Sequence, residues 1–190
     1  MTHRIHALRG IAAPLVLLAL ACGCGGGSGD EASVDLEVLS WKETQDRIAS
    51  QKGRVVVVDV WSTSCPPCLK ELPALVELHR RRGGPRLSCI TVSTDYAGLP
   101  DEPPESLRPK VLRVLRKVGA TCENVLLSTP DEEFYETADI ASIPVVYVYG
   151  AGGELVERFD NSSGAYGADG FNYDEDITPL VERLLAAGGG

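Results

Sequence analysis

The chain is short of basic residues. Lys and Arg number 18 against 27 Asp and Glu over 190 residues, a formal net charge of −9. A nucleic-acid binder must neutralise phosphates with a basic surface, so the balance disfavours that class. Long apolar runs are also lacking. The run IAAPLVLLALA (11–21) has 11 residues, while a membrane-spanning helix needs about 20. Histidine is scarce: His3 and His6 lie in the first few residues, and His79 is the only one beyond. There is one CxxC, Cys65 to Cys68, and no second. Structural zinc takes four ligands, commonly from two such pairs or from one pair and two histidines, so this ligand inventory speaks against zinc. There is no internal repeat and no haem-binding feature. The acids of segment 161–173 do not follow a calcium-loop spacing.

What is present is a globular composition, 44% hydrophobic and 24% charged. The length suits one domain plus a leader. His3, Arg4, His6 and Arg9 give a basic start before the apolar run, the pattern of an export signal. The run ends in LALAC at Cys22 and continues into GCGGGSGDEAS, a flexible tether. Small residues before a cysteine resemble the lipobox of a bacterial lipoprotein, with Ala19 where that pattern usually carries Leu. The resemblance implies cleavage before Cys22 and lipidation there. An ordinary cleaved signal and an uncleaved anchor are the alternatives. The expected organisation is a signal peptide over 1–21, a tether over 22–33, a folded domain over 34–187 and a Gly tail over 188–190. Export places the chain where disulfides persist.

Strands and helices alternate along the domain. VDLEVLS (34–40) alternates apolar and polar residues, as a short strand does. Ser40 stands three residues before Glu43, the capping-box spacing, and a helix is expected from there to about Gln51. RVVVVDVW (54–61) is a β-branched run of the kind buried on both faces. Pro66 and Pro67 suit a helix start. Leu69, Leu72, Leu75, Val76 and Leu78 carry that helix on, and Pro73 is expected to interrupt and kink it. RLSCITVST, ENVLLS and PVVYVYG read as strands. KVLRVLRKVG, DEEFYETAD and the segment from 174 onward read as helices. ELVERFD is expected to be the hairpin partner of PVVYVYG across Ala-Gly-Gly. The fold class is therefore α/β, with a largely parallel sheet and an antiparallel hairpin at one edge.

Cysteines at CxxC spacing can share a metal, staple a turn or exchange electrons with another disulfide. At a helix start the first sulfur lies near unpaired backbone N–H groups, which with the helix dipole stabilise a thiolate. The second lies one turn on, within reach of a disulfide. Cys65 is thus the candidate nucleophile and Cys68 the candidate resolving thiol.

The stretch VVDVWSTSCPPCLKELP, with SIPVVYVYG far downstream, resembles the thioredoxin superfamily, most closely the exported TlpA/ResA-like thiol–disulfide oxidoreductases. The resemblance covers roughly residues 36–187. It implies a thioredoxin-like fold with a central mixed sheet flanked by helices, and KVLRVLRKVG…ENVLLS as an inserted helix–strand unit. It implies that Asp59, six residues before Cys65, is a buried acid that moves the proton of Cys68. It implies that Ile143–Pro144 is a cis bond beside the CxxC, with Ile143 and Pro144 exposing backbone to a substrate strand, and that Trp61, counted with them on the substrate side, packs rather than reacts. Ser64 departs from the pattern, which has an aromatic there. The resemblance further implies disulfide-containing protein substrates, a membrane redox donor, no metal or bound cofactor, and a role in reductive chemistry such as cytochrome c maturation.

Other readings are a partner-binding module with a structural disulfide and a thiol peroxidase. Cys89 reads as a small buried hydrophobe, with a Cys89–Cys122 disulfide as the alternative. Segment 161–173 is expected to lie near the cis-proline side and to shape partner choice.

Overall fold

The structure, a computed structural model, describes residues 1–2, 33–162, 164–167 and 169–188. The body of the expected leader, Cys22, Cys24 and nearly all of the tether lie outside the described residues. Among the described residues no helix is long and apolar enough to cross a membrane.

Six strands form one sheet: β1 (Glu37–Leu39), β2 (Val55–Trp61), β3 (Leu87–Ser93), β4 (Glu123–Leu127), β5 (Val145–Tyr149) and β6 (Leu155–Asp160), in the order β1-β4-β3-β2-β5-β6. The first four strands in that order run parallel, while β5 is antiparallel to β2 and β6 to β5. The hairpin therefore supplies the antiparallel edge, as expected. β1 is shorter than its sequence pattern, because only Glu37, Val38 and Leu39 find partners, on Val125, Leu126 and Leu127.

Every residue of β2 is buried. Side chains alternate between the two faces of a strand, and the packing follows that rule. Val55, Val57 and Trp61 enter one core cluster, and Val56, Val58 and Val60 enter the other. The first face is covered by α2 (Pro66–Arg82), α3 (Arg108–Val118) and α5 (Thr178–Ala187), through residues such as Leu72, Leu75, Leu115 and Val181. The second is covered by α1 (Trp41–Ser50) and α4 (Asp131–Ala138), through Trp41, Ile48 and Phe134. The result is a helix–sheet–helix sandwich. Each fully buried Val or Leu contributes about 1.5–3 kcal/mol, so the β-branched run is a main source of cohesion.

Local signals account for most element ends. The Ser40 hydroxyl accepts from the Glu43 N–H at 3.2 Å and the Glu43 carboxylate takes the Ser40 N–H at 2.7 Å, completing the capping box. Gly119 ends α3 at φ 71°, a left-handed conformation that glycine adopts without a Cβ clash. One expectation is corrected. Pro73 does not interrupt α2, which runs on to Arg82. Leu72, Leu75 and Leu78 around it are buried, and that packing carries the helix past the missing N–H.

Candidate active site

Helix α2 starts where the polypeptide leaves the centre of the sheet. Trp61 ends β2, the short link Ser62–Ser64 follows, and Cys65 is the N-cap of α2, with Pro66 and Pro67 in its first turn. Cys65 and Cys68 are joined in a disulfide with Cα atoms 5.3 Å apart. The Cys68 N–H donates to Cys65 Sγ at 3.2 Å. A first-turn N–H aimed at the sulfur is the arrangement that favours a thiolate once the bond is reduced. Cys65 is 9% exposed and Cys68 1%, so Cys65 is the residue of the pair nearer to solvent.

The link before Cys65 is tied down from the side. The Thr63 N–H donates to Asp95 Oδ2 at 2.9 Å, and the Thr63 hydroxyl donates to Oδ1. Ser93 Oγ at 2.7 Å and Lys110 Nζ at 3.0 Å complete the set around Asp95. Burial pushes the Asp95 carboxyl up, but the Thr63, Ser93 and Lys110 donors outweigh it and hold the group below its ordinary value. Lys110 belongs to α3, so the inserted unit helps to fix the loop that carries Cys65. Asp95 was not singled out in the sequence; its signal was only its place just after a buried strand. Ser64 is exposed, and its hydroxyl lies 3.0 Å from that of Ser62.

Asp59 is 2% exposed. It follows Val57 and precedes Trp61 in the alternation of β2, so it points to the face that holds Cys65, Cys68 and α2. Burial pushes its carboxyl up to about 7, against the pull of a hydrogen bond from Tyr173, with the charge of Glu71 adding to the rise. The Tyr173 hydroxyl donates to Asp59 Oδ2 at 2.7 Å across 114 positions of sequence. Tyr173 was not singled out in the sequence, where it only closes segment 161–173.

Ile143–Pro144 is a cis peptide bond. Pro144 is buried, and Ile143 is half-buried against both core clusters. Trp61 requires a correction: it was expected to contribute to substrate contact, yet none of its surface is exposed. It packs in the same cluster as Cys65 and Cys68. A β-strand terminus so deeply covered leaves an aromatic ring nowhere but the core.

Segment 161–173 is packed by its aromatics, not simply solvated. Phe159, Tyr166 and Phe171 form a trio with ring centroids 5.8–6.0 Å apart, and Phe171 and Tyr173 are buried. Cys89 and Cys122 are free thiols, both buried. Among the described residues no group of three or more His, Cys, Asp or Glu could hold a metal ion.

No protein-family model matches the chain. Solved structures do. A thiol–disulfide isomerase from Corynebacterium glutamicum matches at TM-score 0.55 and 18% identity, over 74% of this chain and 85% of that one. A thiol:disulfide interchange protein of the thioredoxin family, from Chlorobium tepidum, matches at 0.52 and 21%, over 72% and 83%. A secreted Mycobacterium tuberculosis disulfide oxidoreductase, homologous to E. coli DsbE, matches at 0.51 and 18%, over 73% and 85%. The fold is thus thioredoxin-like, α/β, as the sequence resemblance implied. A CxxC disulfide at a helix N-terminus stands on that scaffold.

Proposed function

We propose that the chain is an exported thiol–disulfide oxidoreductase that uses the Cys65–Cys68 pair to reduce disulfides in other proteins. The observation that carries this reading is the closed Cys65–Cys68 disulfide at the start of α2, with the Cys68 N–H on Cys65 Sγ. In the reducing direction the Cys65 thiolate attacks a partner disulfide. A mixed disulfide forms and one partner sulfur leaves as thiolate, taking up a proton. Cys68 then gives its proton to the Asp59 carboxylate, and its sulfur attacks Cys65 Sγ. The Cys65–Cys68 bond closes, and the second partner sulfur leaves. Two electrons have passed from the dithiol to the partner. A redox donor, expected in the membrane, returns them.

Asp59 is suited to the proton step because burial places its carboxyl near neutrality. Cis Pro144 and Ile143 supply the backbone against which an extended partner segment would pair. Segment 161–173, held by its aromatic trio, would shape which partners dock. Tethering through lipid at Cys22 follows from the signal-like N-terminus, and a stable lipid anchor needs more than one acyl signal. Labelling with a fatty acid checks it: label on the wild type and none on Cys22→Ser is the expected result.

The activity is tested by insulin reduction under a thiol reductant. The wild type is expected to accelerate it and Cys65→Ser to show no acceleration. Activity that survives Cys65→Ser, or none in the wild type, transfers the reading to a partner-binding module with a structural disulfide.

A further inference from the structure

The reading above gives Asp59 a proton to accept, and the groups around Asp59 decide when it can. Its own strand offers Val57 and Trp61 on that face, both apolar. The charged or titratable groups that act on it come from four other places. Glu71 comes from α2, Cys89 from β3, Cys122 from the approach to β4, and Tyr173 from the π-helical turn Tyr173–Ile177 that leads into α5. Cys89 and Cys122 stay neutral, since burial pushes both thiols far up. Glu71 contributes a negative charge from α2. Tyr173 contributes the one hydrogen bond to the Asp59 carboxyl found among the described residues, 2.7 Å long. The backbone N–H of the same residue reaches Glu71 Oε2 at 3.3 Å. Tyr173 therefore touches both carboxyl groups.

We propose that Tyr173 is the positioning residue of Asp59: its hydroxyl holds the Asp59 carboxylate and sets the pH at which that carboxylate can take the proton of Cys68. A hydroxyl binds a charged oxygen more strongly than a neutral one. The bond therefore favours the carboxylate, the form that accepts a proton, while burial and Glu71 favour the neutral acid. Tyr173 itself remains a donor throughout, because burial beside Asp59 drives its phenol well above the ordinary value. The turn that places the ring is fixed at its base. Asn172 caps it by accepting the Glu175 N–H at 2.9 Å, and the ring is 1% exposed.

Two readouts test this, in wild type, Tyr173→Phe, Asp59→Asn and the double variant. One is the NMR titration of the Asp59 carboxyl carbon in oxidised protein labelled at aspartate. The other is the pH profile of thiol release from a chromogenic mixed disulfide on Cys65. Tyr173→Phe is expected to raise both midpoints by about one pH unit, the loss of one hydrogen bond to a charged group. The double variant is expected to match Asp59→Asn in the release profile. An unmoved midpoint in folded Tyr173→Phe overturns the proposal, as does an equal shift of the release profile in the Asp59→Asn background. If Tyr173→Phe does not fold, replacement of Tyr173 by 3-fluorotyrosine keeps the shape and strengthens the donor. It must lower the carboxyl midpoint, and no shift overturns the proposal. The carboxyl titration is readable whether or not the protein reduces insulin, so this test and that of the activity fail separately.

Discussion

Two pairs of cysteines lie in the same core cluster, yet their environments are opposite. Cys65 and Cys68 open a helix. Cys65 is its N-cap, and a backbone N–H points at its sulfur. Cys89 sits mid-strand in β3, and Cys122 just before β4, one position ahead of the Ile90–Glu123 register pair. Both line a cavity of about 430 Å³ that also meets His79, Glu123 and Asn124 and includes neither Cys65 nor Cys68. No helix start serves them. Burial pushes the Cys122 thiol up to about 12 and Cys89 higher still. What differs between the pairs is the backbone around each sulfur, not the side chain or its proximity to a second sulfur.

The comparison can be broken most directly by alkylation of reduced, native protein at pH 7. At that pH a thiol titrating at about 12 has roughly one part in 10⁵ as thiolate, and the thiolate is the reactive form. Cys65 is expected to label orders of magnitude faster than Cys122 and Cys89, which should label only after unfolding. Comparable native rates would erase the distinction. Intact mass after oxidation is the companion reading: loss of one pair of hydrogens, not two, is expected.

A smaller effect separates Asp59 from the buried thiols of the core cluster it faces. Asp59 has its carboxyl raised by burial to about 7. A raised acid adds full stability only below its unfolded value, and that contribution is lost as pH climbs to the folded value. Asp59→Asn removes the penalty on the charged form. It is expected to match wild type near pH 3 and to exceed it above pH 7 by on the order of 4 kcal/mol. Denaturant unfolding at the two pH values checks this. A constant offset would mean that Asp59 does not titrate between them.

The smallest expected change tests the inert pair as packing. Cys89 is 1% exposed. Cys89→Ser buries a hydroxyl in its place and is expected to cost about 1–3 kcal/mol, with insulin reduction unchanged. Lost reduction in a folded Cys89→Ser protein would make the second pair part of the chemistry.

How much of this was legible is clearest residue by residue. The CxxC, the strand before it and the capping box at Ser40 are local patterns, and each formed where the residues placed it. Asp59 was legible as a buried acid because valines surround it. Trp61 was legible as a packing residue but not as one without substrate contact, because its exposure depends on what covers the end of β2. That Pro73 leaves α2 uninterrupted was hidden for a similar reason: packing by Leu72, Leu75 and Leu78 outweighs one missing N–H.

Local sequence set the period of each element and the helix start at Cys65. Those depend on neighbours within a turn or a strand. Tertiary packing alone brings Tyr173 to Asp59, sets Asp95 and Lys110 against the loop before Cys65, and buries Cys89 and Cys122. Each of these joins positions far apart in the chain, such as the 114 between Tyr173 and Asp59. No local pattern encodes such a meeting; it arises when the sheet order brings β2 and β3 beneath α2 and the turn before α5.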